Sequence, residues 1–485
     1  MARGHTGKEH LLRRAGFGAS QEELARFDDM STFGAIQHVL DYEQQPDEVD
    51  SRIGNPTYAA ITARDGFSPN LNIDHARQRW LFRMLHTTRP LQEKMALFWH
   101  NHFATAYSKI AGTVGGAQAT RMMALKPGEL PGPQGQIELF RSMALGSFRD
   151  LLVEVAKDPA MLVWLDGRLN TRQRPQENFG REIMELFTFG IGNYTEQDVY
   201  AAARVFTGWN LRQVNRGAGD RDSYYEFFFN ANQHDTSAKT FTFPIYRGGG
   251  STIPARAASD GMQDGIDFIT ALATHPETAR RLARRLWAFF VSETVEPDAS
   301  VVHDAATVYL QSGTEIRSLV HYMLRSREFL NPGSWYTRYS WPVEFVVRAV
   351  KEVGWSGFSV DALRAPTAAM GQVLFEPPDV NGWELGQGWF STGAMLARMN
   401  FAATLAANQR LNLAQKAADA ASSPDSMLEF FLDRLSPAPY EEGARRELAA
   451  YLEASGAWTG SAAQLRVKAP GLTRLIVGSS EYQLV

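Results

Sequence analysis

A chain of 485 residues and 54.0 kDa exceeds one ordinary hydrophobic core and has material for two or three lobes. With 44% hydrophobic and 21% charged residues, wholesale disorder and coiled coil are excluded. The net charge of −4, from 49 basic and 53 acidic side chains, excludes a strongly basic nucleic-acid footprint and an acidic tail.

No run of about 18 apolar residues is present, so no membrane-spanning helix is expected. Cysteine is absent, which removes disulfides, thiolate nucleophiles, zinc–thiolate sites and iron–sulfur clusters together. Any metal must therefore sit on His, Asp, Glu, Asn or backbone oxygen. The first twenty residues lack an apolar core and a small-residue cleavage site, so no signal peptide is read and the expected location is cytoplasmic. Basic residues are forty arginines against nine lysines, a bias that codon composition produces readily.

Helical periodicity dominates the chain. Residues 90–106 open with Pro90 in a first turn, 147–164 follow Ser147 as an N-cap, and 276–292 again begin with proline. Similar patterns occupy 314–330, 342–354, 393–409 and 425–435. The expected class is a mainly α, multi-lobed protein. One stretch differs: 223–246 is rich in aromatic and β-branched residues and is bracketed by Gly217, Gly219 and Gly248–Gly250. It reads as a small β-hairpin insertion. The expected organisation is an N-terminal helical lobe (1–211), the insertion (212–255), a second helical lobe (256–411) and a C-terminal helical cap (412–485). Segments 147–162, 315–330 and 470–485 echo one another but fall short of a repeat architecture.

Three blocks carry candidate chemistry. The first is Trp99-His100-Asn101-His102-Phe103, two potential metal ligands within three residues. Positions i and i+2 lie about 200° apart on a helix, so one histidine faces a cleft or both are core residues beside an aromatic stripe. The second is the helix around 177–186, where Asn178, Arg181, Glu182 and Glu185 share one face and Phe179, Ile183, Leu186 and Phe187 the other. Close carboxylates push their pKa values apart and can divide acid and base roles or hold a cation; the bland alternative is a solvated face with intrahelical ion pairs. The turn 165–170 upstream adds polar groups suited to a rim. The third is the loop Glu376-Pro377-Pro378-Asp379-Val380-Asn381-Gly382-Trp383, with Trp389 beyond it. Such loops make ligand contacts or plug a core. His234-Asp235 with Lys239 adds a polar cluster in the insertion. No GxSxG, HExxH or Walker motif is present.

Together these blocks, in this order, with LLRRAGFG (11–18), ARVFTGW (203–209), WPVEF (341–345) and GQVLFEPPDVNGW (371–383), resemble the bacterial domain-of-unknown-function family numbered 1800 over nearly the whole chain. The resemblance implies no catalytic role. It does imply a periplasmic or secreted setting and, from gene neighbourhoods in the family, an alkaline-phosphatase-like secreted protein as partner. The leading expectation is a hydrolase-like enzyme acting on a polar, glycan- or phosphate-bearing substrate. Glu182, Glu185, Arg181, His100 and Asp379 would be catalytic, and Trp383, Trp389, Asn178 and Asn381 would contact substrate. A divalent metal, if used, would draw on His100, His102, Glu182, Glu185, His234 and Asp235. The alternative is a non-catalytic binding or assembly protein that uses the aromatic loop as its anchor.

Overall fold

Pro90 and Pro276 each start a helix in the computed structural model, and Ser147 accepts a hydrogen bond from the Asp150 amide as an N-cap should. The structure describes residues 7–64, 66–454 and 456–485. Among them are twenty-four α-helices and four short strands, so the chain is mainly helical, as the periodicity implies. Buried apolar side chains from Leu11 near the start to Tyr482 near the end form one connected core. The echoing segments 147–162 and 315–330 meet at their starts: the Phe148 amide donates to Thr314 and the Ile316 amide to Gly146.

The strands fall where the aromatic composition places them, but their pairing differs from a single hairpin within 223–246. Tyr224–Phe229 pairs antiparallel with Trp209–Val214, and Lys239–Thr240 pairs with Thr252–Ile253. Gly217, Gly219 and Gly249 have positive φ, so the glycines that bracket the stretch are the tips of two hairpins. They are not the borders of one insertion. The partner strand was hidden because Asn210, Arg212 and Gln213 give it little β-forming composition, and a three-residue turn ending at Gly208, φ +83°, separates it from the helix Glu196–Val205.

The region is knitted into the core. Trp209, Phe241, Phe243 and Ile253 are buried, and below them lies a charge cluster in which His234, Lys239 and Asp264 have no solvent access and Arg256 is partly exposed. The Asp264 carboxylate accepts from Lys239 at 2.5 Å, from Arg256 at 3.0 Å and contacts His234 Nε2 at 3.2 Å. Burial opposes ionisation of Asp264, but the bonds from His234 and Lys239 hold its carboxyl below the ordinary range. A depressed carboxyl stabilises the fold above its unfolded pKa and loses that contribution as pH falls through the folded value. Asp264→Asn should therefore cost about 3–5 kcal/mol at neutral pH, because it leaves Lys239 buried without its counter-charge. Denaturant unfolding measures this, and a loss below about 1 kcal/mol would show that solvent reaches Lys239 in place of the carboxylate.

Candidate functional site

The helix Pro90–His102 ends at the WHNHF block, and its three polar side chains point to three different backbone groups. His100 Nε2 accepts from the Phe375 amide at 3.1 Å. Asn101 Oδ1 accepts from the Trp383 amide at 2.7 Å. His102 Nε2 donates to the Phe187 carbonyl at 3.0 Å. The two histidines thus face opposite ways, as the i, i+2 spacing requires. Both sit among aromatic rings: Trp80, Phe375 and Trp383 around His100, and Phe98, Trp99 and Phe103 around His102. Burial pushes His100 down to about 3, and burial with the nearby Arg285 and Arg281 charges pushes His102 down as well. Both are neutral, and each fixes a loop.

The loop they fix is the third block. Phe375 has φ +65°, an uncommon conformation for a bulky residue, and is held by His100 on its amide and by the Tyr107 amide on its carbonyl. Glu376 caps the helix Tyr107–Val114 by accepting from the Ser108 amide at 3.1 Å and from the Ser108 hydroxyl. Gly382 has φ +84°, and a Cβ there would overlap the Asn101 side chain. Asp379 Oδ1 accepts from the Asn381 amide at 2.7 Å and closes an exposed turn. Trp383 and Trp389 are each only 4% exposed. The expectation that they contact substrate is not met, since an indole packed into the core has no face left for a ligand. Asp379 and Asn381 are exposed but engaged with their own turn, with no bond to the acids of the second block.

The second block is where unpaired charge collects. The helix Glu177–Glu185 buries Phe179, Ile183 and Met184 and leaves its polar face partly open. Asn178 donates to Asp166 at 3.1 Å, and Lys109 lies 3.6 Å from the same carboxylate. The polar turn at 165–170, the start of the 107–114 helix and Glu376 therefore form one rim. Arg181 does not bridge the two acids: its guanidinium turns outward in a bidentate pair with Glu196, both bonds 2.8 Å. Glu185 accepts from the Tyr194 hydroxyl. Glu182 makes no side-chain hydrogen bond among the described residues; burial and then the Glu185 charge hold its carboxyl up at about 7, with Arg181 opposing.

Arg281 and Arg285, unremarked in the sequence, stand behind this face on the helix Pro276–Phe290. Arg281 Nη2 donates to the Leu186 carbonyl at 3.2 Å, at the end of the acidic helix. Burial works against its charge while Glu185 supports it. Arg285 is lowered to about 10 by burial and by Arg281. The available signal was the spacing: Arg281 and Arg285 lie one turn apart, beside the buried stripe of Leu282, Leu286 and Phe289.

The six residues expected to share a metal are dispersed. Asp235 pairs with Arg204 at 2.8 Å, His234 with Asp264, and the remaining four have the separate partners described above or none. Among the described residues no group of three or more His, Asp or Glu is placed to hold an ion. No described helix is long and apolar enough to cross a membrane.

The fold and this site define a mainly helical protein with a carboxyl–arginine cluster on a helix face, braced by a histidine-anchored loop. The chain belongs to the family described as a protein of unknown function, DUF1800, whose profile matches residues 10–484. No curated protein and no solved structure shows significant similarity to it.

The anchoring role of the WHNHF block is directly testable. Asn101→Ala should leave the buried Trp383 amide without its acceptor, cost about 1–3 kcal/mol and accelerate hydrogen exchange in 380–384. Unchanged exchange there would show that the loop is held by its tryptophan packing alone.

Proposed function

We propose that the protein is a hydrolase-like enzyme whose acid–base group is Glu182, acting on a polar substrate that carries a phosphate or a glycan. The observation that supports this reading is the contrast between two carboxyls one turn apart. Glu185 is engaged by Tyr194 and faces Arg281, whereas Glu182 is unpaired and titrates near neutrality. A pair of acids with divergent environments is the arrangement that divides proton donor from charge stabiliser. A carboxyl with a pKa near 7 can both hold and release a proton at physiological pH, which suits protonation of a leaving oxygen or deprotonation of attacking water. The stabilising charge assigned to Arg181 by its position in the sequence falls instead to Arg281, because Arg181 is committed to Glu196. Asn178 and Asp166 line the approach.

A panel of chromogenic phosphate esters and glycosides tests the reading. The parent should hydrolyse at least one, and Glu182→Gln should lower kcat/KM by about 10²–10⁴ and remove the inflection near pH 7. Equal rates in parent and variant, or no turnover of any substrate by the parent, would overturn it.

Stability gives an independent check with a worked sign. Between the ordinary carboxyl value of 4.5 and about 7, the folded chain keeps a proton that the unfolded chain has released. Stability attributable to Glu182 therefore falls as pH rises through this window. Glu182→Gln should be more stable than the parent at pH 8 by on the order of 1 kcal/mol, allowing for solvent screening of a half-buried group. At pH 4 the two should coincide. A variant less stable than the parent at pH 8 would show that the carboxylate is held by favourable contacts.

A further inference from the structure

We infer that Arg281 and Arg285 form an oxyanion-binding site that takes the phosphoryl group of a phosphate-bearing substrate. The inference rests on the reading above for the chemistry that follows binding, though not for binding itself.

The helix Pro276–Phe290 carries four arginines, at 280, 281, 284 and 285. Arg280 pairs with Glu277 within its own helix, and Arg284 is exposed. Arg281 and Arg285 are half-buried, and Arg281 faces the end of the acidic helix. Each guanidinium presents five N–H donors. Arg281 uses one on the Leu186 carbonyl, and its Nε is buried with no partner. Arg285 makes no hydrogen bond or ion pair among the described residues. The carboxylate that favours Arg281, Glu185, already accepts from Tyr194.

Two mutually repelling guanidiniums, one of them bonded to a single carbonyl, are costly unless something anionic joins them. The backbone at Gly190, with φ +88°, approaches Arg281 so closely that a Cβ there would stand 3.0 Å from Nη1. The Arg285 and Arg281 charges also reach His102, which burial and those charges keep neutral, so the two guanidiniums are the cations an anion would meet. Planar guanidinium forks match the tetrahedral oxygens of phosphate by paired hydrogen bonds. Two cations match a dianion; a monocarboxylate would neutralise only one of them. Phosphate monoester is therefore favoured over a carboxylate ligand.

Isothermal titration calorimetry of the full chain at pH 8 tests this, with inorganic phosphate, sulfate and acetate as the three probes. Phosphate should bind the parent and should bind Arg281→Gln and Arg285→Gln at least about tenfold more weakly. Arg285→Lys, which keeps the charge and loses the fork, should also be weakened. Arg284→Gln, at an exposed position, and Glu182→Gln should retain binding. Sulfate should bind like phosphate, and acetate at least about tenfold more weakly. Melting curves of each variant separate lost binding from lost folding. Absence of phosphate binding to the parent, parent-like affinity in folded Arg285→Gln, or acetate binding as tightly as phosphate would overturn the inference. The two readings fail separately: phosphate binding with full activity in Glu182→Gln removes the catalytic assignment alone. Loss of activity in Glu182→Gln with no phosphate binding removes the oxyanion site alone.

Discussion

Glu93 and Lys94 are consecutive, have no solvent access, and are each matched from a different side of the molecule. Glu93 accepts from Arg83 and Arg141, both at 2.7 Å, and from the Trp80 indole at 3.1 Å. Lys94 meets Glu344, which also accepts from Arg338 at 2.7 Å and from the Trp341 amide at 2.9 Å. Burial opposes charge on both partners of the Lys94–Glu344 pair. Burial pulls Lys94 down to about 7, whereas the Arg338 and Lys94 charges hold Glu344 down at about 2, so Glu344 is kept as a carboxylate between the two basic groups. Such pairs return little net stability, since desolvation offsets attraction, but a one-sided loss is expensive. Their consequence is register. A slip or rotation of the Pro90–His102 helix would strand two charges in the core, so the WHNHF block at its end is delivered to one position. From there His100, Asn101 and His102 fix Phe375, Trp383 and Phe187, and the last of these follows directly on the acidic helix.

How much of this was legible in the sequence follows from the range of each interaction. Helix starts were readable because proline, serine and capping acids act within one turn: Thr195 and Asp198 form a reciprocal cap as their spacing suggests. The aromatic strand Tyr224–Phe229 was readable from its composition, whereas its partner ten residues upstream was not, because Asn210, Arg212 and Gln213 leave it no local β signature. The buried charges were invisible for the same reason. Lys94 and Glu344 lie 250 positions apart, and neither neighbourhood distinguishes a core lysine from a surface one. The arginine excess, which composition alone attributes to the genome, also supplies the core: Arg13, Arg14, Arg83, Arg338, Arg348 and Arg398 are all essentially without solvent access.

The helix face of Asn178, Arg181, Glu182 and Glu185 was legible as a face, since helical periodicity decides which side chains share an arc. Its electrostatics were not. Arg181 is adjacent to Glu182 in sequence yet spends its guanidinium on Glu196, a partner supplied by the next helix. The tryptophans of the 376–389 loop illustrate the complementary error. A rigid loop with two indoles suits ligand contact and core plugging equally well in sequence, and only burial separates the two.

The acidic helix and the helix behind it carry charges that are less well matched than several fully buried arginines. Arg13, Arg14, Arg338, Arg348 and Arg398 each donate at least one hydrogen bond to a carboxylate, carbonyl, amide oxygen or hydroxyl. Lys239 and Asp264 neutralise each other. Glu182 and Arg285, by contrast, are half-buried and make no side-chain hydrogen bond among the described residues, and Glu185 acts on Arg281 through its charge. Groups left unmatched in this way are what natural sequences retain where a local rule is broken for a use. The outcome is a proton-exchanging carboxyl on one helix and an unpaired guanidinium on another, and the braced loop and matched core hold both helices in place.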